Sequence, residues 1–102
     1  MLYIVSIQID ADVADDWEAW MADEHIPDVL ATECFASATM ARDEEAETRE
    51  RKAYRIVYRA TSREAYREYV EEHADELKAE HTGRYRGQFE ASRELLPVVA
   101  AW

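Results

Sequence analysis

Residues 2–10 alternate without interruption: Tyr3, Val5, Ile7 and Ile9 fall on one face, and Leu2, Ile4, Ser6, Gln8 and Asp10 on the other. This is the period of a half-buried strand. From Asp12 the period changes. Asp12 stands as an N-cap, Asp15 and Asp16 follow in the first turn where the helix dipole favours acids, and Val13, Trp17, Trp20 and Met21 recur at helical spacing. Pro27 disfavours helical geometry at Ile26, which predicts a helix end near Glu24 or His25. After a short apolar stretch at 28–31, residues 34–42 read as a second strand and 53–60 as a third, with Tyr54, Ile56 and Tyr58 to one side. The charged segment 43–52 has helical composition but no apolar face to dock, so a hairpin connection is expected. Thr61 with Glu64 three residues later makes a capping box, and Tyr66, Tyr69, Val70, His73, Ala74 and Leu77 form a stripe at helical spacing. Thr82 and Gly83 are the expected stop. A last strand at 88–96 is closed by Pro97.

The resulting order, β-α-β-β-α-β, predicts an α+β fold of the ferredoxin-like kind: a four-stranded antiparallel sheet with two helices on one face. With 102 residues and no internal linker, the chain reads as a single domain spanning 1–102. Two helices on one side leave the other side of the sheet bare. Leu2, Ile4 and Val57 fall there, together with alternate residues of the second and fourth strands and the cations Arg55 and Arg59. A second copy meeting this face about a two-fold axis is the economical cover, so a homodimer through the sheet is expected.

Charge sharpens this picture. The chain has 23 Asp and Glu against 12 Lys and Arg, for a net charge of −11. It lacks the basic footprint that nucleic acids and anionic membranes require, so both are excluded as partners. Lys52 and Lys78 are the only lysines, and abundant carboxylates with scarce lysine resemble proteins of salt-accumulating cells. Cys34 is the one cysteine and reads as a small buried hydrophobe, with no nearby cation to lower its pKa. The N-terminal apolar run has no basic lead and turns polar by Gln8, which predicts a strand instead of a signal peptide and a cytoplasmic protein. The apolar tail 95–102 is too short to span a bilayer.

The most distinctive residues are Trp17, Trp20, Met21, His25, Ile26 and Pro27, spelling Trp-x-x-Trp-Met-x-x-x-His-Ile-Pro. This resembles an uncharacterised bacterial family of about the same length, a domain of unknown function within the dimeric α/β-barrel superfamily. Tyr54 and Tyr58, Tyr69 and Leu77, and Phe89 and Arg93 are similar too, so the resemblance covers nearly the whole chain. It departs at Glu33, where a glycine is expected. The resemblance implies the fold and the dimer, and passes on no catalytic residue.

Broader relatives in that superfamily include cofactor-free monooxygenases, isomerases, dehydratases and haem-handling proteins, with pockets between sheet and helices. The resemblance would line that space here with Trp17, Met21, Tyr54, Tyr58 and Tyr66, joined by His25 and His73. Helical spacing puts Trp17, Met21 and His25 on one stripe, and an imidazole beside an aromatic wall is a candidate base for an acidic carbon or phenol. The structural alternative is that the tryptophans and methionine are ordinary core, His25 ends the helix, and His73 is a satisfied core histidine. His81 and Arg84 are expected to be solvated. No cofactor is called for: haem has no support beyond a helix histidine, Gly83 and Gly87 make no phosphate loop, and Glu24, His25 and Asp28 are separated by Pro27 from any common metal-binding face. Three functions remain. They are a dimeric protein binding a small apolar or aromatic ligand, a cofactor-independent monooxygenase- or isomerase-like enzyme with His25 as base, and an oligomerising interaction module.

Overall fold

The computed structural model describes residues 1–102. Four strands, β1 (Leu2–Asp10), β2 (Phe35–Arg42), β3 (Arg51–Ala60) and β4 (Phe89–Leu96), form one antiparallel sheet in the order β2-β3-β1-β4. The helices α1 (Ala14–Trp20), α2 (Ile26–Ala31), α3 (Arg63–Glu72) and α4 (Ala74–Tyr85) connect them. The expected α+β, ferredoxin-like order is therefore present. The most apolar strands, β1 and β3, are central and the polar ones are edges, because only a central strand can bury both faces.

Both crossovers are interrupted helices, and here the sequence expectations need correcting. Pro27 does not end the first helix. Proline has no N–H to donate and its ring crowds the carbonyl four residues back. The chain accommodates it by widening for one π-helical turn, Met21–His25, in which the Ile26 N–H donates to the Met21 carbonyl five residues earlier. Pro27 then lies in the first turn of α2, where a missing N–H has no partner to lose. Asp12 is not a cap either: it lies in a 3-10 turn (Ala11–Val13), and Val13 precedes α1 without a side-chain cap. Asp15 and Asp16 do occupy the first turn.

In the second crossover the cap is Ser62, whose Oγ accepts from the Ala65 N–H at 3.0 Å, one residue after the expected Thr61. The single helix expected to stop at Gly83 is two helices. The chain leaves helical geometry at His73 (φ −130°, ψ −34°) and resumes in α4, which runs past Gly83 to Tyr85. Gly87, with φ +77°, makes the turn into β4 in a left-handed conformation that costs glycine little. The break re-aims the chain so that Ala74, His81 and Tyr85 are buried, while Val70 is left 45% exposed and His73 only half-buried.

On the covered face, 17 buried residues form one continuous core. Tyr3, Val5, Ile7 and Ile9 of β1 and Tyr54, Ile56 and Tyr58 of β3 meet Trp17, Met21, Val29, Tyr69 and Tyr85 from the helices. Cys34 is buried here as a free thiol, as expected.

The bare face is more polar than the sequence suggested. Leu96, Leu2, Arg59 and Ser37 line up in one row across the strands; Glu94, Ile4, Val57 and Thr39 form the next, then Ser92, Ser6, Arg55 and Ala41. Only Leu2, Ile4, Val57 and Leu96 give it large apolar side chains. The edge strands contribute mainly Ser, Thr, Ala and Glu, because an edge strand with little burial has no need of larger apolar groups. Arg55 and Arg59 are exposed on this face as expected, and Arg55 approaches Glu94 of its own chain at 4.0 Å.

Candidate functional site

Between the covered face and the helices lies a small cavity of about 40 Å³, lined by strand residues such as Tyr3, Tyr58 and Phe89 and by helix residues including Met21, His25 and His81. Tyr69, Lys78, Thr82 and Arg93 complete the polar part of the wall. A cavity this size holds about three waters.

His81 is the best-held polar group in the fold. It is 6% exposed, and the Trp17 indole N–H donates to its Nε2 at 2.8 Å. An indole nitrogen can only donate. Nε2 of His81 must therefore carry the lone pair, which puts the ring proton on Nδ1, and Nδ1 makes no hydrogen bond within the chain. Rings surround His81: Phe89 edge-on at 4.4 Å, then Tyr85, His25 and Trp20 at 5.7, 5.8 and 5.9 Å. Burial in this cage, reinforced by the neighbouring His25 and by Arg93, pushes its pKa down to about 4, so the ring is neutral at pH 7.

His25 leaves the π turn with its ring stacked on Trp20, 5.0 Å between centroids. Its Nδ1 is buried and has no partner. Burial holds its pKa below the usual histidine value, and Asp28 opposes that only in part. The phenols are neutral as well: burial raises the pKa of Tyr3, Tyr58 and Tyr69. At the exposed side of the wall, Lys78 of α4 is drawn below its ordinary pKa by partial burial and by Arg93 of β4, against the weaker pull of Asp75.

The residues named from sequence divide three ways. Met21, His25 and Tyr58 line the cavity. Trp17 and Tyr54 lie behind it as packed core, their rings 4.7 Å apart, with Trp17 reaching the site through His81 and Tyr54 donating to Glu18 at 2.7 Å. Tyr66 packs on Tyr3 at 5.4 Å, outside the lining. His73 is remote: at the break between α3 and α4 it faces a solvent-open depression with Glu64, Glu68, Glu71 and Glu72, so it is neither a core histidine nor part of the cavity.

Sequence reasoning missed Tyr3, Lys78, His81 and Arg93. His81 was expected to be solvated, and its burial is the main correction at the site. The signal was its position, eight residues after His73 and four before Tyr85, which continues the apolar stripe past the glycine that was expected to end it. Arg84 was also expected to be solvated. It is exposed, as expected, and also engaged, donating to the Tyr85 hydroxyl at 3.2 Å, approaching Asp16 at 3.8 Å and lying over the Trp20 ring at 5.4 Å. No three His, Cys, Asp or Glu side chains are grouped to hold a metal ion, and no helix is long and apolar enough to cross a membrane.

The sheet order and the helices on one face make this a ferredoxin-like α+β protein with its cavity under the helices. The chain belongs to the DUF4286 family, a domain of unknown function, whose model matches residues 1–99. Solved structures share the fold at low identity. SnoaB, a cofactor-independent oxygenase from Streptomyces nogalater, has a TM-score of 0.66 at 13% identity, covering 98% of this chain and 94% of its own. HapK from Hahella chejuensis has a TM-score of 0.58 at 18% identity, with both chains covered in full. A dimeric ferredoxin-like protein from an uncultured marine organism has a TM-score of 0.59 at 11% identity, covering 100% of this chain and 98% of its own. A search of curated proteins found no match.

Proposed function

We propose that this protein is a homodimer, paired through the bare face of its sheet, that binds a small molecule in the cavity between sheet and helices. The observation that carries the binding reading is the orphaned Nδ1 of His25, buried on a residue that lines a real void. An unsatisfied buried polar atom costs about 1–3 kcal/mol, and a partner brought by a ligand relieves that cost. Support for pairing comes from the apolar strip Leu96, Leu2, Ile4 and Val57, and from the description of one fold neighbour as dimeric. The charge of −11 argues against nucleic acid as the partner.

The test is a fluorescence screen of small aromatic and aliphatic compounds on a Trp102→Phe background, since Trp102 is fully exposed and contributes only background. Trp20 lies against His25 and Trp17 against His81. A ligand in the cavity changes their emission, and His25→Ala weakens that response. An emission that no compound alters, in either protein, overturns the reading.

A second reading has its own observation. His25 and His81 are both held neutral, and a neutral imidazole beside neutral phenols is equipped to accept a proton. In this reading the protein is a cofactor-independent enzyme with His25 as base, a chemistry that the description of SnoaB makes compatible with the fold. Turnover lost in His25→Ala with unchanged melting would support it.

A further inference from the structure

The charge of the cavity is opposite to that of the protein. None of the thirteen residues lining it is acidic, although 23 of the 102 residues in the chain are. Four carry nitrogen bases: His25, Lys78, His81 and Arg93. Two depressions among the helices are acidic by contrast, one lined by Asp23, Glu24, Asp28 and Glu80 against the single cation Arg84, and another by Asp28, Glu76 and Glu80. Lys78 and Arg93 come from different elements, α4 and β4, and converge on one wall. Neither forms a salt bridge. The wall thus brings two cations together with no carboxylate in the lining, although Asp75 acts on Lys78 from outside it. Mutual repulsion makes the pair unfavourable until an anion arrives.

We propose that the cavity takes the carboxylate of a small organic acid, its charge met by Lys78 and Arg93 and one oxygen accepting from the Nδ1–H of His81. This rests on the binding reading above and adds the ligand class. His81 is suited to the role because the Trp17 bond fixes its tautomer, so its free N–H is always a donor. Size favours a carboxylate. A void of about 40 Å³ admits a planar three-atom head group and leaves the rest of the acid toward the open wall. Phosphate is larger and is ordinarily gathered by helix N-termini or backbone nests. α4 passes the cavity with the middle and C-terminal part of its length, at Lys78, His81 and Thr82.

Matched probes test this at constant ionic strength: acetate against acetamide, benzoate against benzamide, and inorganic phosphate, read by thermal shift and by tryptophan emission in Trp102→Phe. The acids bind at least tenfold more tightly than their amides, and the double variant Lys78→Gln/Arg93→Gln loses that preference while its melting without ligand stays within a few degrees. Both side chains are exposed, and Lys78→Arg, which keeps the charge, retains the preference. Equal binding of acid and amide overturns the carboxylate assignment and leaves the pocket reading standing. Tighter binding of phosphate also overturns it, and so does an acid preference that survives the double variant. If no probe binds, the carboxylate assignment fails, and the wider screen above decides the pocket reading.

Discussion

The two faces of the sheet are built from the same strands, residue by residue in alternation, yet they obey different rules. On the covered face, β1 and β3 supply aromatic and β-branched groups, and the polar atoms there are imidazoles and phenols, some held by specific partners, as Trp17 holds His81 and Glu18 accepts from Tyr54. On the bare face the same two strands supply Leu2, Ile4 and Val57 among Ser, Gln and Arg, and the polar groups are exposed ions such as the Arg55–Glu94 pair at 4.0 Å. The covered face holds the stability of a single chain and walls the site. The bare face holds little stability until something meets it. That difference can be broken or sharpened by substitution on each side.

The largest effect is expected at Trp17, which is fully buried and both fills the core and fixes His81. Trp17→Ala costs about 3–5 kcal/mol through the cavity it leaves, a large share of the 5–15 kcal/mol typical of a domain. Trp17→Phe retains most of the volume but strands Nε2 of His81, at about 1–3 kcal/mol. Urea denaturation of the three proteins measures both. A Trp17→Phe protein as stable as the parent would mean that the 2.8 Å hydrogen bond contributes nothing.

Next in size is the dependence on pH, which also belongs to the covered face. The pKa of His81 falls to about 4 in the fold, against about 6.5 in an unfolded chain. Between those values the unfolded state binds a proton that the folded state refuses. Stability is therefore complete above pH 6.5 and declines as the pH falls toward 4, by no more than about 3 kcal/mol. His25, shifted in the same direction, adds to the loss. Denaturation midpoints from pH 7 to 4.5 check this, and the slope flattens in His81→Gln, which has no proton to gain. An unchanged slope in that variant would return His81 to solvent.

On the bare face the prediction reverses in kind. Val57→Asp changes the stability of a single chain by no more than about 1 kcal/mol, because the position is only half-buried and, apart from its partner Ile4, is flanked by Arg55, Arg59 and Thr39. The same carboxylate placed in a sheet-to-sheet interface is buried without a partner, at a cost of several kcal/mol, so the dimer dissociates. Light scattering after gel filtration distinguishes the two. A parent protein that is monomeric, or a Val57→Asp protein that stays dimeric, removes the pairing inferred for this face.

The contrast between the faces also explains what the sequence made legible. The alternation from Tyr3 to Ile9 placed β1 and its two faces correctly, because a period of two has only one reading once one side is apolar. The helices were harder. Trp17 and Met21 announced a covered surface, but nothing in the spacing showed that Pro27 would be absorbed by a π turn, since that depends on packing available to α2. Tyr66 to Leu77 announced the second crossover but concealed its break at His73. That break exiled the histidine chosen from the stripe and brought in His81, which lay beyond the supposed end of the helix. The candidate site was thus legible where a residue and its neighbours share one element, as at Met21 and His25. It was illegible where residues from different elements converge, as Lys78 and Arg93 do.

The smallest expected effect concerns the turn that deals β2 its two faces. Glu33 follows α2 with φ +65°, a left-handed conformation in which the Cβ of an L-residue is crowded, and this is the position where a glycine was expected. Directly after it, Phe35 pairs with Ala60 while Ser37 pairs with Arg59, so one residue is bulged and the alternation slips by one. The slip turns Phe35 toward the core and leaves Ser37, Thr39 and Ala41 for the bare face. Glu33→Gly removes the strain but frees the unfolded chain, and the two effects oppose each other. With about 1–2 kcal/mol of strain relieved against a loss of about 0.5–1 kcal/mol, the variant gains up to about 1.5 kcal/mol. Urea denaturation measures the gain, and Glu33→Ala, which keeps the Cβ, shows none of it. If instead Glu33→Gly loses stability, the left-handed turn is not where the strain resides, and the bulge that sets the faces of β2 must be held by Phe35 itself.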